Sequence, residues 1–264
     1  MNKVCLKELN TIQPREIVYK VVGERKLRLF VFEPKVQPKS CIINIHGGGW
    51  QRETPQRLYP HAAYFSENGG LGICVEYRLM AKDSNVLMCL EDCIDALIYI
   101  REWVQINYGQ IPLIALGDSA GAYLATCLGC QSIINRIKEN VRRVDLVIDL
   151  NGIVDLTGKW SYAIDTLKSA GATVLMHEKY SPLFNIKKND AAVLLMHGDV
   201  DEIVDLEDSK RYHKALQEMG IESQLIILSN VNHAFILFDY THDNLLVADI
   251  LYKIAQRLKD ENFL

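Results

Sequence analysis

No run of apolar residues in this 264-residue chain reaches membrane-spanning length, and its start, "MNKVCLKELNTIQPREIVYK", lacks the apolar core and small-residue cleavage site of a secretory signal. Cationic surplus is missing as well. A net charge of −4 and a pI near 6.0 leave neither a nucleic acid nor an anionic membrane the clustered cations such partners attract. The seven cysteines are odd in number and scattered through apolar segments, unlike the disulfide framework of a secreted domain, so a reducing, cytoplasmic setting is expected. No H-E-x-x-H is present and no carboxylate cluster demands a metal, and no cofactor is expected. Cys127 and Cys130 have C-x-x-C spacing but no second pair, and read as packing residues. No Pro/Ser-rich linker, low-complexity tract or repeat divides the chain, so residues 1–264 read as one domain.

What is present is a regular alternation. "REIVYKVV" and "LRLFVFEP" flank a Gly-Glu-Arg-Lys turn as an antiparallel pair. "SCIINIH", "LGICVEY", "IPLIALG", "VDLVIDL", "AAVLLMH" and "SQLIILS" are short, nearly continuous apolar runs, the pattern of strands buried on both faces of a parallel sheet. Between them, residues 86–106, 120–138, 206–219 and 242–260 carry apolar side chains at spacings of three and four, predicting helices that pack on the sheet. The spacing predicts an α/β fold with a mostly parallel central sheet of about eight strands and helices on both faces. Residues 153–186 have only patchy periodicity and are long for a connection, so they read as an insertion over a site.

Gly117-Asp118-Ser119-Ala120-Gly121 matches G-x-S-x-G, follows the strand "PLIAL" and opens a helix. A serine on such a turn presents its oxygen at the carboxyl edge of the sheet, next to a helix N-terminus that favours developing negative charge. The bare pattern is equally consistent with a glycine-flanked helix cap. "INIHGGGWQRE" places three glycines after a buried strand, more than chain reversal needs, leaving backbone N–H groups of Gly48 and Gly49 free to join that of Ala120 around an oxyanion. A phosphate loop is the rival reading, but neither G-x-G-x-x-G nor G-K-[ST] is present. His46 reads as a strut for this loop. His233, in the loop after the last strand, is the candidate general base, and His61, His177, His197, His213 and His242 read as surface or packing residues. After "AAVLLMHG", Asp201 is the candidate orienting carboxylate, with Asp199 as the alternative. Asp92, in "CLEDCIDAL", reads as a structural partner for the loop after "VEYRL".

Together, "HGGGW", "VEYRL", "GDSAG", "HGDVDEIV" and "NHAF" resemble segments of the hormone-sensitive-lipase-like and acetyl-esterase branches of the α/β-hydrolases, from about residue 40 onward. The resemblance implies a Ser119, Asp201, His233 triad in the order of that fold, and an oxyanion hole of Gly48, Gly49 and Ala120. Ser181-Pro182-Leu183 matches the S-P-[IL] segment of short esterases acting on acetylated sugars. Ala122-Tyr123 replaces the glycine and Asn or His that many relatives carry after the elbow, so Tyr123 either enters the cleft or packs against the sheet. The long amino-terminal helical cap of the lipase-like branch is missing, and a small cap over 153–186 is the expectation, with Trp160 and Tyr162 near the serine. Trp50, Tyr123 and Trp160 are the candidate substrate contacts.

These readings predict a serine carboxylesterase that cleaves short-chain, in particular acetyl, esters of sugars or small metabolites. An arylformamidase-like amidase or small peptidase on the same triad is the second reading, and a silent hydrolase-fold binding protein the third. The expected partner is a small-molecule ester. Both a monomer and a homo-oligomer are compatible with the sequence.

Overall fold

The computed structural model describes residues 9, 11–81, 85–165, 174–233, 235–236 and 245–264. Strands β1 (Arg15–Val22) and β2 (Arg25–Phe32) form an antiparallel pair turned at Gly23, whose φ of 60° suits a residue without a Cβ. Then come β3 (Cys41–Ile45), β4 (Leu71–Val75), β5 (Leu113–Asp118), β6 (Leu146–Leu150), β7 (Ala192–Gly198) and β8 (Ser223–Leu228). They assemble into an eight-stranded sheet in the order β1-β2-β4-β3-β5-β6-β7-β8. β2 runs antiparallel to β4, and every pair from β4 to β8 is parallel.

Every residue of β3, β4, β5 and β6 is buried, as their unbroken apolar runs require. Successive side chains feed opposite cores. Ile43, Ile45, Ile73 and Ala115 join one with α2 (Val86–Tyr108), α3 (Ala120–Gly129) and α7 (Leu206–Glu218), while Ile42, Cys74, Ile114 and Leu116 join the other with α1 (Tyr59–Glu67) and α8 (Leu245–Asp260). Helix α1 escapes a search for amphipathic period because Pro60 through Ser66 are all buried, leaving no polar stripe. The expected helix over 120–138 is instead two, α3 and α4 (Gln131–Ile137), parted at Cys130 in extended backbone, and the short α5 (Tyr162–Asp165) and α6 (Val174–Tyr180) follow before β7. At the junction of α3 and α4, Gly129 lies against β6, where a Cβ would run into the Val147 side chain. Residues 242–244 of the expected last helix lie outside the described residues.

All six cysteines among the described residues are free and buried, and burial raises the thiols of Cys127 and Cys130, which keeps them protonated and inert. No described helix is long and apolar enough to cross a membrane.

Asp92 on α2 ties the sheet's antiparallel edge to its parallel part. Its fully buried carboxylate meets Lys20 Nζ of β1 at 2.7 Å and accepts from Arg78 Nε at 2.7 Å, Nη2 at 2.8 Å and the backbone N–H at 2.9 Å. Without Asp92, Lys20 keeps Asp95 at 2.6 Å and Arg78 keeps Glu91 at 3.2 Å, but the link between β1 and the segment after β4 is lost and the Arg78 backbone N–H loses its acceptor. Asp92→Ala is therefore expected to cost about 3–5 kcal/mol, read as a fall of roughly 10 °C in Tm by calorimetry. An unchanged Tm would show that the cluster contributes nothing net.

Candidate active site

Loops leaving the carboxyl ends of β3, β5, β7 and β8 converge at one sheet edge, where open α/β sheets bind their ligands. Ser119 ends β5 and precedes α3 with φ 52° and ψ −119°, a conformation an L-residue adopts only under constraint. The constraint is visible. Its N–H donates to Leu150 O at 2.9 Å, its carbonyl accepts from the N–H groups of Ala122 and Tyr123, and Gly117 and Gly121 bring strand and helix together where a Cβ would collide with backbone. The hydroxyl is thereby held at the start of a helix, and Ser119 keeps 9% of its surface exposed.

Ser119 Oγ lies 2.8 Å from His233 Nε2, and His233 Nδ1 lies 2.7 Å from Asp201 Oδ2. The acceptor at Nδ1 fixes the tautomer: the proton sits on Nδ1, leaving Nε2 a free base toward the serine. Asp201 is held in turn. Its Oδ1 accepts from the N–H groups of Ile203 at 2.8 Å and Val204 at 2.9 Å. Burial alone would raise this carboxyl, but hydrogen bonds from His197, His233 and the two amides outweigh it and hold the group well below the usual carboxylate range. Asp199, the alternative carboxylate, is engaged elsewhere, accepting from Asn230 N at 2.6 Å in the turn after β8.

The glycine loop after β3 is braced from three sides. Gly47 N donates to Asp118 Oδ1 at 2.8 Å. His46 stacks on Tyr77 at 4.5 Å and places Nδ1 2.8 Å from Gly47 O; burial pushes its pKa down to about 4, so the ring stays neutral and serves as the expected strut. Trp50 Nε1 donates to Ala120 O at 2.8 Å, pinning the loop to the first turn of α3. Gly48 and Gly49 have φ of 99° and 62°, and among the described residues no backbone acceptor takes the N–H of Gly48, Gly49 or Ala120.

Two of the aromatic expectations are corrected. Trp50 and Tyr123 have no exposed surface: Trp50 packs edge-on against Tyr123 at 5.5 Å, and Tyr123 OH donates to Tyr180 O at 3.0 Å. Both brace the site from beneath, because each finds its polar partner on the backbone of a neighbouring segment. Trp160 is half-buried and stands edge-on to Trp50 at 6.2 Å, with Tyr162 at 6.4 Å from the same indole. In the 153–186 segment Ser181 joins the two arms, accepting from Leu156 N at 2.7 Å and donating to His177 O at 2.8 Å; residues 166–173 lie outside the described part. A cavity of about 540 Å³ adjoins it, lined by Asp155, Trp160, Ile203, Asp208 and Arg211 and by the main chain around Asp201. Ser119 is not among its walls. Among the described residues no three His, Cys, Asp or Glu side chains gather as a metal site would need.

The BD-FAE family profile matches residues 29–216, from β2 through most of α7. The chain belongs to the BD-FAE family. Its backbone superposes on butyrate-bound esterase 2 of Thermogutta terrifontis with a TM-score of 0.82 at 23% identity, covering 96% of this chain and 95% of that one, which shows an α/β-hydrolase fold. The same esterase is known phosphorylated by paraoxon, with equal TM-score and identity. A probable isoprenylcysteine α-carbonyl methylesterase of Arabidopsis thaliana is 22% identical over 83% of this chain, which spans 50% of that protein's length. Kynurenine formamidase of Danio rerio is 23% identical over 90% of this chain and 80% of its own.

Two residues of this BD-FAE chain reach the site without having been singled out. His197, read from sequence as packing, places Nε2 3.3 Å from Asp201 Oδ2. Asn151, at the end of β6 with φ 48°, donates from Nδ2 to His233 O at 2.8 Å and so fixes the histidine's backbone. For His197 the four-residue spacing to Asp201 was a usable signal. For Asn151 there was none, since its partner is 82 residues away.

Proposed function

We propose that this chain is a serine carboxylesterase that hydrolyses short acyl esters, acetyl above all, of sugars or similar small metabolites in the cytoplasm, with Ser119, His233 and Asp201 as its triad. The observation that carries the reading is the unbroken relay from Ser119 Oγ through His233 to Asp201, with contacts of 2.8 and 2.7 Å. His233 Nε2 takes the hydroxyl proton as Ser119 attacks the acyl carbon, while the Asp201 carboxylate stabilises the imidazolium. The N–H groups of Gly48, Gly49 and Ala120 receive the developing oxyanion, helped by the amino end of α3. Protonated His233 then delivers its proton to the departing alcohol. In the second half, His233 takes a proton from water, which attacks the acyl carbon; the bond to Ser119 Oγ breaks, His233 returns the proton to that oxygen, and the acid leaves.

The short-chain preference rests on the small exposed area at Ser119 and on Trp50 and Tyr123, which fill the space beneath it. The 153–186 segment serves as a small cap within a single domain, and Trp160 contacts substrate. Among 4-nitrophenyl esters from acetate to octanoate, kcat/KM should be highest at acetate and fall by at least about tenfold by octanoate, as a closed pocket rejects added methylenes. A maximum at octanoate would refute the small acyl site. The 23% likeness to kynurenine formamidase favours one rival, formamide hydrolysis on the same triad, and turnover of N-formylkynurenine exceeding that of acetate esters would select it.

A further inference from the structure

We infer that His197 is a positioning residue of the proposed triad: its ring, clamped between Ser209 and Asp201, holds the carboxylate in register with His233 and shares its charge. The inference rests on the triad reading above. Its geometry is specific. His197 Nε2 meets two acceptors, Val204 O at 3.1 Å and Asp201 Oδ2 at 3.3 Å, so Nε2 carries a proton that bonds the carbonyl and faces the carboxylate. On the other side Nδ1 meets Ser209 Oγ at 2.8 Å. A hydroxyl can donate or accept, so this partner suits the ring whether Nδ1 is bare or protonated, with no change of position.

The consequence falls on one oxygen. Asp201 Oδ1 is occupied by two backbone amides, while Oδ2 is divided between His233 Nδ1 at 2.7 Å and His197 Nε2 at 3.3 Å. The shorter bond goes to His233. The longer contact adds to the hold that the two amides already give the carboxylate and draws off part of the charge that would otherwise favour an imidazolium at His233. His197 itself has no exposed surface, so no solvent can replace it.

The charged and titratable groups around the ring come from three elements. Asp201 faces it from the β7–α7 loop, and Asp149 acts on it from β6 while being fully engaged by Gly152 N and Thr126 Oγ1. Ser209 faces it from α7. Burial opposes protonation of His197, and the bond to Asp201, with the fields of Asp201 and Asp149, outweighs it, raising the group above an ordinary histidine.

The test compares His197→Leu, His197→Gln and Ser209→Ala by the pH profile of kcat/KM on 4-nitrophenyl acetate, with circular dichroism to establish folding. His197→Leu removes the donor at similar volume. It should lower kcat about tenfold and move the acid limb up by about half a pH unit or more, because the undiluted carboxylate favours protonated His233. His197→Gln keeps a neutral donor near Nε2 and should recover most of both losses, which a purely packing role for the imidazole would not produce. Ser209→Ala leaves the ring but frees its orientation, and should move the limb the same way by less. If His197→Leu does not fold, Ser209→Ala carries the test. An acid limb unmoved in Ser209→Ala and in every folded His197 variant overturns the inference. Failure of the triad reading is distinguishable, since Ser119→Ala would then retain full activity.

Discussion

Ser119→Ala is expected to lower kcat on 4-nitrophenyl acetate by at least about 10⁴-fold while leaving the protein folded. That factor is about 5.5 kcal/mol of activation free energy. The methyl group of alanine fits wherever serine fits, so the strained elbow and its backbone bonds persist; only Oγ is lost, and with it the atom 2.8 Å from His233 Nε2. What remains is the glycine loop and His233, able to direct water at the ester but not to form an acyl-enzyme. A covalent probe separates nucleophile from mere proximity. Paraoxon should phosphorylate the natural sequence once, at Ser119, and intact-mass measurement of Ser119→Ala should show no adduct. Full esterase activity in the variant, or an adduct of equal yield, would mean that another residue is the nucleophile.

How far the sequence reached follows the range of each interaction. β3 to β6 were legible because burial on both faces writes itself as a nearly continuous apolar run, a local signal, and β1 and β2 because a Gly-bearing turn stands between two strand-forming runs. Ser119, Asp201 and His233 were legible because each stands at a strand end beside a short glycine-bearing or loop motif. Helix α1 was not, since seven consecutive buried residues erase the polar stripe that marks a helix. The break at Cys130 was not legible either, since the apolar spacing of 120–138 runs through it without interruption. Trp50 and Tyr123 show the limit most plainly. An aromatic beside a catalytic motif is read equally well as a substrate contact or a brace, and only the partners, Ala120 O and Tyr180 O, decide for the brace. His197 escaped for a related reason: its chemistry comes from sharing Asp201 with His233, and that sharing exists only once β7 and β8 lie side by side.

Gly121→Ala is expected to destabilise the fold by about 3 kcal/mol or more, although it adds a single methyl group to a residue inside a helix. Elsewhere in a helix the exchange would stabilise, since alanine loses less backbone entropy than glycine. Here a Cβ would stand 2.5 Å from the carbonyl oxygen of His46 and closer still to that of Ile45. Both obstacles are backbone, at the end of β3, so no rotamer change relieves the overlap; either α3 lifts from the sheet or β3 shifts against β4 and β5. Lifting α3 moves Ser119, and shifting β3 moves the Gly48–Gly49 loop, so the folded fraction should also lose activity. Gly158→Ala is the control, because nothing lies within 4 Å of a Cβ there and its stability should change by no more than about 0.5 kcal/mol. Urea denaturation should show a lower midpoint for Gly121→Ala at an unchanged slope, which assigns the loss to the native contacts and not to the denatured chain. A midpoint equal to that of Gly158→Ala would mean that α3 and β3 are farther apart than the structure has them, and the packing account of the elbow would be wrong.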